Sequence, residues 1–234
     1  MTWSDHILKF LFSVSLDGVR LPRGVRVMNP MREPGNEIRR VVESFYRKFY
    51  ADDGRRRFIV GINPGRFGAG VTGIPFTDTK RLQNLGIRLE SAVTHEPSSV
   101  FVHETIAAFG GPARFFRAFY ITALCPLGFV RRNAAGREVN YNYYDDEKLE
   151  RAVTPFIVSS MKAQLAWRCE TDVCFCLGSG KNFRFFEKLN EREKFFDRII
   201  PLEHPRFIMQ YRLKKKPEYV RKYVTAFREA AGND

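Results

Sequence analysis

The sequence contains no apolar run near the roughly 18 to 20 residues of a membrane-spanning helix. Its apolar N-terminal patch, Ile7 to Phe12, is short and interrupted by Lys9, and no small-residue cleavage site follows it, so a secretory signal is not expected. Cysteine is scarce, and the four present, Cys125, Cys169, Cys174 and Cys176, form no C-x-x-C pair of the kind that usually binds zinc or an iron–sulfur cluster. Cys174 and Cys176 lie two apart in an apolar, strand-like run and point to one sheet face, as buried reduced thiols would. No metal is expected. Repeats and low-complexity linkers are also missing, so residues 1–234 read as a single domain. There is no Gly-Lys-Ser/Thr and no dinucleotide fingerprint opening a helix, and no cofactor is expected.

Acidic residues are the other shortage. Asp and Glu number 26 against 39 Lys and Arg, a net charge of +13. Such a surplus favours a polyanionic partner, because phosphate neutralisation releases counterions and steers encounter. A basic but inert surface is the competing reading. Distribution argues against it: from Arg206 to Arg228 there are eight basic residues (Arg206, Arg212, Lys214, Lys215, Lys216, Arg221, Lys222, Arg228) and one acid, Glu218. The terminal helix described below has no strongly apolar insertion face, so nucleic acid fits better than a membrane surface.

Asn36 precedes an amphipathic helix with apolar positions Ile38, Val41, Val42, Phe45 and Phe49, which ends at the breaker Asp52-Asp53-Gly54. Four short apolar runs read as buried strands: 57–62, 118–124, 172–177 and 198–202. Between them lie helical stretches, including 146–167, where Pro155 marks a kink or a new start. Residues 181–189 lack Gly and Pro and should be helical, and a closing helix starts at Pro217 with Val220, Tyr223, Val224 and Phe227 on its apolar face. Strands alternating with helices imply a three-layer α/β/α domain around a central, mostly parallel four-stranded sheet. In such folds ligands bind beyond the carboxyl ends of the strands.

The unusual segments sit at those ends. Residues 61–78 contain five glycines and two prolines, a loop shaped for close backbone approach to a ligand rather than for helix or strand. Within it, Gly61-Ile62-Asn63-Pro64-Gly65, Phe67-Gly68 and Thr72-Gly73-Ile74-Pro75-Phe76 resemble the first motif of single-strand-selective monofunctional uracil-DNA glycosylases. Leu124-Cys125-Pro126-Leu127 after the second strand and His204-Pro205 after the fourth match further elements of that family in order. The match covers roughly residues 57–210, and the chain is closer to a bacterial second subgroup than to the vertebrate enzymes.

The resemblance implies a hydrolytic DNA glycosylase of base excision repair, acting on uracil and other deaminated or oxidised bases. Cleaving an N-glycosidic bond creates an oxocarbenium-like sugar and a base that takes up negative charge. By resemblance Asn63 would position water and His204 would donate a hydrogen bond to the carbonyl oxygen where charge develops. Phe76 would stack on the flipped base, while Ile62 and Gly65 line the pocket. Ala69 stands where the vertebrate enzymes carry a methionine beside the base's C5 edge. One position departs from the family: the asparagine that reads the amide edge is replaced by Ala123. Backbone and water, or a neighbour such as Cys125 or Asn142, would have to substitute.

DNA handling would fall to two loops. Gly178-Ser179-Gly180-Lys181 opens a helix, whose N–H groups suit a phosphate. In Pro205-Arg206-Phe207-Ile208 and on to Arg212, apolar side chains flanked by arginines could wedge into the gap left by a flipped nucleotide, unless Phe207 and Ile208 simply pack inward. A glycosylase for another lesion, such as a deaminated purine, is the rival enzyme. A catalytically idle DNA-binding module is the rival of another class, and its signature, loss of Asn63 or His204, is absent here. The expectation is a bacterial, cytoplasmic, nucleoid-associated monomer that acts on DNA containing uracil or a related damaged base.

Overall fold

The computed structural model describes residues 1–232; residues 233 and 234 of the expected domain lie outside it. In chain order the elements are α1 (Trp3–Ser13), β1 (Val25–Met28), α2 (Glu37–Phe49), β2 (Arg56–Gly61), α3 (Ala69–Thr72), α4 (Thr79–Asn84), α5 (Pro97–Phe109), α6 (Pro112–Ala118), β3 (Phe119–Ala123), β4 (Gly128–Arg132) and β5 (Glu138–Tyr141). They continue with α7 (Glu147–Leu165), β6 (Cys169–Leu177), α8 (Lys181–Glu193), β7 (Arg198–Leu202), α9 (Pro205–Tyr211) and α10 (Lys216–Ala231).

The central sheet runs β3-β2-β6-β7 with every pairing parallel. Strands buried on both faces read as continuous apolar runs, which is why β2, β3 and the second half of β6 were visible in the sequence, while the half-exposed edge strand β7 is marked by Ile199, Ile200 and Leu202. Alternation then sends neighbours to opposite layers. Phe58 and Tyr120, paired in register, meet Trp3 of α1 on one face. Phe119 and Phe175 meet Phe227 of α10 on the other, with ring centroids 5.1 and 4.8 Å away. Burying each such ring contributes on the order of 2 kcal/mol. The layers are thus helix, sheet, helix.

All four cysteines are free and buried, three of them on β6. Pro155 lies inside an unbroken α7, carried through by the buried side chains Leu149, Val153, Ile157 and Met161. Arg56, fully buried at the start of β2, is held by Asp52 (2.8 and 2.9 Å), by the carbonyls of Gly54 and Phe116, and by the rings of Trp3 and Tyr50.

Three features lay outside the sequence expectations. The N-terminal apolar patch is α1, started by a capping box between Thr2 and Asp5 and locked to the core through Trp3. A second, antiparallel sheet, β1-β4-β5, brings Val25 opposite Arg131 and Phe129 opposite Tyr141. Its last strand delivers residues 140–144 to the carboxyl end of the main sheet. The segment 205–211, expected as a loop, is the helix α9.

Candidate active site

Where β2, β3 and β7 end, their following segments enclose a cavity of about 310 Å³. Ile62, Asn63, Gly65, Ala69, Phe76, Ala123, Asn142, His204, Arg206 and Phe207 all line it, so segments far apart in sequence converge on one space. Glu96 and Ser98 from the start of α5, Asn140, Tyr144, Gln210 and Tyr211 also belong to the wall.

Asn63 is fixed by backbone on both sides of its amide. Its Oδ1 accepts from the N–H of Tyr143 at 3.2 Å, and its Nδ2 donates to the carbonyls of Pro64 (3.3 Å) and Tyr141 (3.4 Å). A carbonyl oxygen has a second lone pair, so Oδ1 retains the capacity to hold a water. Tyr143 is fully buried, and its hydroxyl donates to Asn182 of α8 at 2.7 Å. Asn182 in turn donates to the Cys176 thiol sulfur at 3.2 Å. The Asn63 amide is therefore tied through Tyr143 to the sheet. Sequence reading did not single out Tyr143, because only the β4–β5 hairpin brings it back across 80 residues.

His204 caps α9. Its Nδ1 accepts from the N–H of Arg206 at 3.1 Å, so the proton of the neutral ring sits on Nε2. Burial, helped by the Arg206 charge, pulls its pKa down to about 4, and the ring is neutral at physiological pH. The arrangement yields a donor that carries no charge of its own. Phe76 packs beside it with centroids 5.9 Å apart. That phenylalanine has φ of 49°, a left-handed conformation that costs a bulky residue about 1–2 kcal/mol. Strain of this kind persists where the surroundings over-determine a side chain's position. Gly61 is what lets the ring lie across the strand end, since a Cβ there would stand 3.1 Å from two Phe76 ring carbons.

The base-reading candidates divide. Ala123, at the end of β3, lines the cavity but has no polar side-chain atom, and Asn142 lines it with its N–H given to Asp145 at 2.8 Å. Cys125 does not reach the cavity. It is fully buried, burial pushes its thiol up to about 12, and its N–H donates to the Ile62 carbonyl at 3.1 Å. It extends the β2–β3 ladder and thereby positions Ile62.

The DNA-handling candidates divide as well. Ser179, Gly180 and Lys181 are exposed at the start of α8. Gly178 is buried beside His204, and its N–H is committed to the Leu202 carbonyl at 2.8 Å. On α9 helical spacing sorts the side chains that a loop would have left together. Phe207, 39% exposed, and Tyr211, 60% exposed, stand one turn apart with rings 5.6 Å from each other and line the cavity mouth. The Arg212 guanidinium lies over the Phe207 ring at 5.3 Å. Ile208 points the other way and is fully buried, so it belongs to the core and not to a wedge. Pro205 is buried as the first residue of the helix, while Arg206 is exposed.

Glu96 was not anticipated. Its carboxylate lies against the glycine loop, 3.5 Å from where a Gly65 Cβ would be and 2.2 Å from where a Gly68 Cβ would be. Nothing in Thr94-His95-Glu96-Pro97 marks it, because the fold alone carries it over a loop some thirty positions earlier.

Comparison with known proteins shows the family and the fold. The model of the uracil DNA glycosylase superfamily matches residues 48–228. A crystal structure of wild-type SMUG2 from Pedobacter heparinus superposes with a TM-score of 0.94 at 50% sequence identity, covering 98% of each chain. No curated protein matches significantly. Among the described residues no helix is long and apolar enough to cross a membrane. The chain belongs to the uracil-DNA glycosylase superfamily, in its single-strand-selective monofunctional branch.

Proposed function

We propose that this chain is a monofunctional DNA glycosylase of base excision repair that hydrolyses the N-glycosidic bond of uracil, and of other deaminated or oxidised bases, flipped out of DNA. The observation that carries the reading is the convergence of three groups on one cavity. They are an imidazole held neutral with its proton on Nε2, an amide anchored by backbone on both sides, and an aromatic ring kept in a strained conformation.

In this reading the flipped base stacks on Phe76. As the bond from the sugar carbon to the base breaks, its electron pair passes to the base, and His204 Nε2–H donates to the carbonyl oxygen that becomes anionic. Being neutral, the imidazole stabilises the anion without transferring its proton. Asn63 Oδ1 orients the water whose oxygen bonds to the sugar carbon. An amide cannot accept that water's proton at neutral pH, so the proton leaves to solvent or to the departing base. No lysine lines the cavity among the described residues, which favours hydrolysis over Schiff-base lyase chemistry. Ala123 supports a range of bases wider than uracil, since it offers no side-chain hydrogen bond to the amide edge. The exposed aromatic pair Phe207 and Tyr211 would fill the gap in the stack, with Arg206, Arg212 and the start of α8 on the backbone phosphates.

The test is release of free base from oligonucleotides containing uracil, hypoxanthine, xanthine or 5-hydroxymethyluracil, single- and double-stranded. Uracil release leaving an unbroken abasic strand, with no borohydride-trapped adduct, is the expected result. Failure to release any of the four bases would overturn the reading.

A further inference from the structure

Among the described residues the cavity is lined by one carboxyl group, Glu96, and the mechanism above gives it no task. It stands at the head of α5, its own N–H donating to Asp78 Oδ2 at 2.9 Å. Its Oε2 is buried without a hydrogen-bond partner in the protein, although an unsatisfied buried carboxylate oxygen carries an uncompensated desolvation penalty. Its room comes from Gly68, where any Cβ would collide with the carboxylate at 2.2 to 2.8 Å. A buried polar atom without a partner, set in the wall of a ligand cavity and given space by a glycine, is what a group kept for the ligand looks like.

The wall it occupies is defined by the rest of the site. Ala123 bounds the cavity from β3, while Gly65, Gly68 and Ala69 lie on the loop beyond β2. A pyrimidine that gives its charged carbonyl to His204 and its amide edge to Ala123 turns its C5 side to that loop. Resting on the glycosylase reading, we propose that Glu96 is the specificity-determining residue for this side of the base. Its carboxyl group selects bases that present a hydrogen-bond donor, such as a hydroxyl substituent, over Gly65 and Gly68.

The electrostatics make the selection pH-dependent. Burial raises Glu96 to about 7, the neighbouring Asp78 charge adds to the rise, and Arg206 partly offsets it. Asp78 is itself held by Arg81 at 3.0 Å, with His95 Nδ1 3.8 Å from the same oxygen. Above neutrality the carboxylate accepts from a base hydroxyl. Below it, the carboxylic acid is a weaker acceptor.

The experiment compares single-turnover release of 5-hydroxymethyluracil and uracil from otherwise identical single-stranded oligonucleotides at pH 6 and pH 8. Wild type, Glu96→Gln and Glu96→Ala are tested, with folding checked by thermal unfolding. In wild type the ratio of the two rates should rise about tenfold from pH 6 to pH 8, the effect of one charge-assisted hydrogen bond. In Glu96→Gln, which keeps shape without ionising, the ratio should stay flat. A wild-type ratio that does not move with pH, or both rates falling together in the folded variants, overturns the inference and leaves the glycosylase reading intact. If wild type releases neither base, it is the glycosylase reading that fails.

Discussion

The N–H of Arg206 donates to Nδ1 of His204 at 3.1 Å, and this one contact decides which imidazole nitrogen can serve a ligand. Replacing His204 with alanine removes both the Nε2 donor and the side-chain cap of α9. Single-turnover base release should fall by about two orders of magnitude, the usual effect of losing one anion-stabilising donor. Affinity for an uncleavable DNA analogue should change far less. Activity within about threefold of wild type would remove His204 from the chemistry.

Gly61 and Phe76 make a second pair. A Cβ at residue 61 would press on the Phe76 ring at 3.1 Å, tighter than ordinary contact, while Phe76 is already strained. Gly61→Ala should slow base release by about tenfold or more through displacement of the stacking ring, and it should destabilise the fold by about 1–3 kcal/mol. Kinetics together with thermal unfolding check this. Wild-type kinetics in a destabilised protein would show that the ring's position does not matter to the base.

Much of the fold was legible because its central strands read as four apolar runs, β2 and β3 buried almost throughout and the edge strand β7 carrying Ile199, Ile200 and Leu202. The second sheet was not. Val25–Met28 and Glu138–Tyr141 are only four residues long, and although Glu138–Tyr141 pairs locally with β4, the first strand finds its partner across more than a hundred positions, as at Val25 and Arg131. The site divides in the same way. Asn63, Phe76 and His204 follow strands within readable motifs, whereas Glu96 and Tyr143 enter from elements whose approach only the tertiary fold determines. Ile208 shows the converse: its sequence neighbours suggested a shared role with Phe207, but helical geometry turns consecutive side chains about 100° apart. The α1 helix did carry a readable signal, the Thr2 and Asp5 capping pair.

The ionisation of Glu96 predicts a stability change with a definite sign. Its folded pKa, about 7, lies above the ordinary 4.5, so its contribution is fully present below 4.5 and is lost as pH rises through 7. His204 runs the other way: lowered to about 4, it contributes above 6.5 and loses that contribution as pH falls through 4. Glu96→Gln isolates the first effect. Its stability relative to wild type should be greater at pH 8 than at pH 5 by on the order of 1–3 kcal/mol. Denaturant unfolding at the two pH values measures the difference, and an equal gap at both would mean that the carboxyl group is solvated.

Ala123 offers a gain-of-contact test. It ends β3 opposite Gly61, so an asparagine there would extend an amide into the cavity from a rigid strand. Ala123→Asn should raise uracil release relative to hypoxanthine and xanthine by about tenfold, because an amide can both donate to and accept from the uracil edge. Unchanged relative rates across the panel would mean that another group already reads that edge.

The exposed face of α9 predicts a dependence on strand state. A flipped nucleotide leaves a hole in the stack, and opening it costs a few kcal/mol in a paired duplex but much less in a single strand. Phe207 and Tyr211 stand together at the cavity mouth, while Ile208 is sealed in the core. Replacing Phe207 and Tyr211 together by alanine should therefore slow release from well-paired duplex by about tenfold and from single strands by less than about threefold. Ile208→Val is the control: it should cost about 1 kcal/mol in stability without any strand-selective kinetic effect. Arg212, whose guanidinium lies over the Phe207 ring, should behave as a phosphate contact. Arg212→Ala would then weaken binding to all sequences and reduce the salt slope by about one. Single-turnover rates on matched single- and double-stranded substrates at two salt concentrations separate these effects. Equal slowing of both substrates by the aromatic pair would place Phe207 and Tyr211 in the base pocket rather than in the stack.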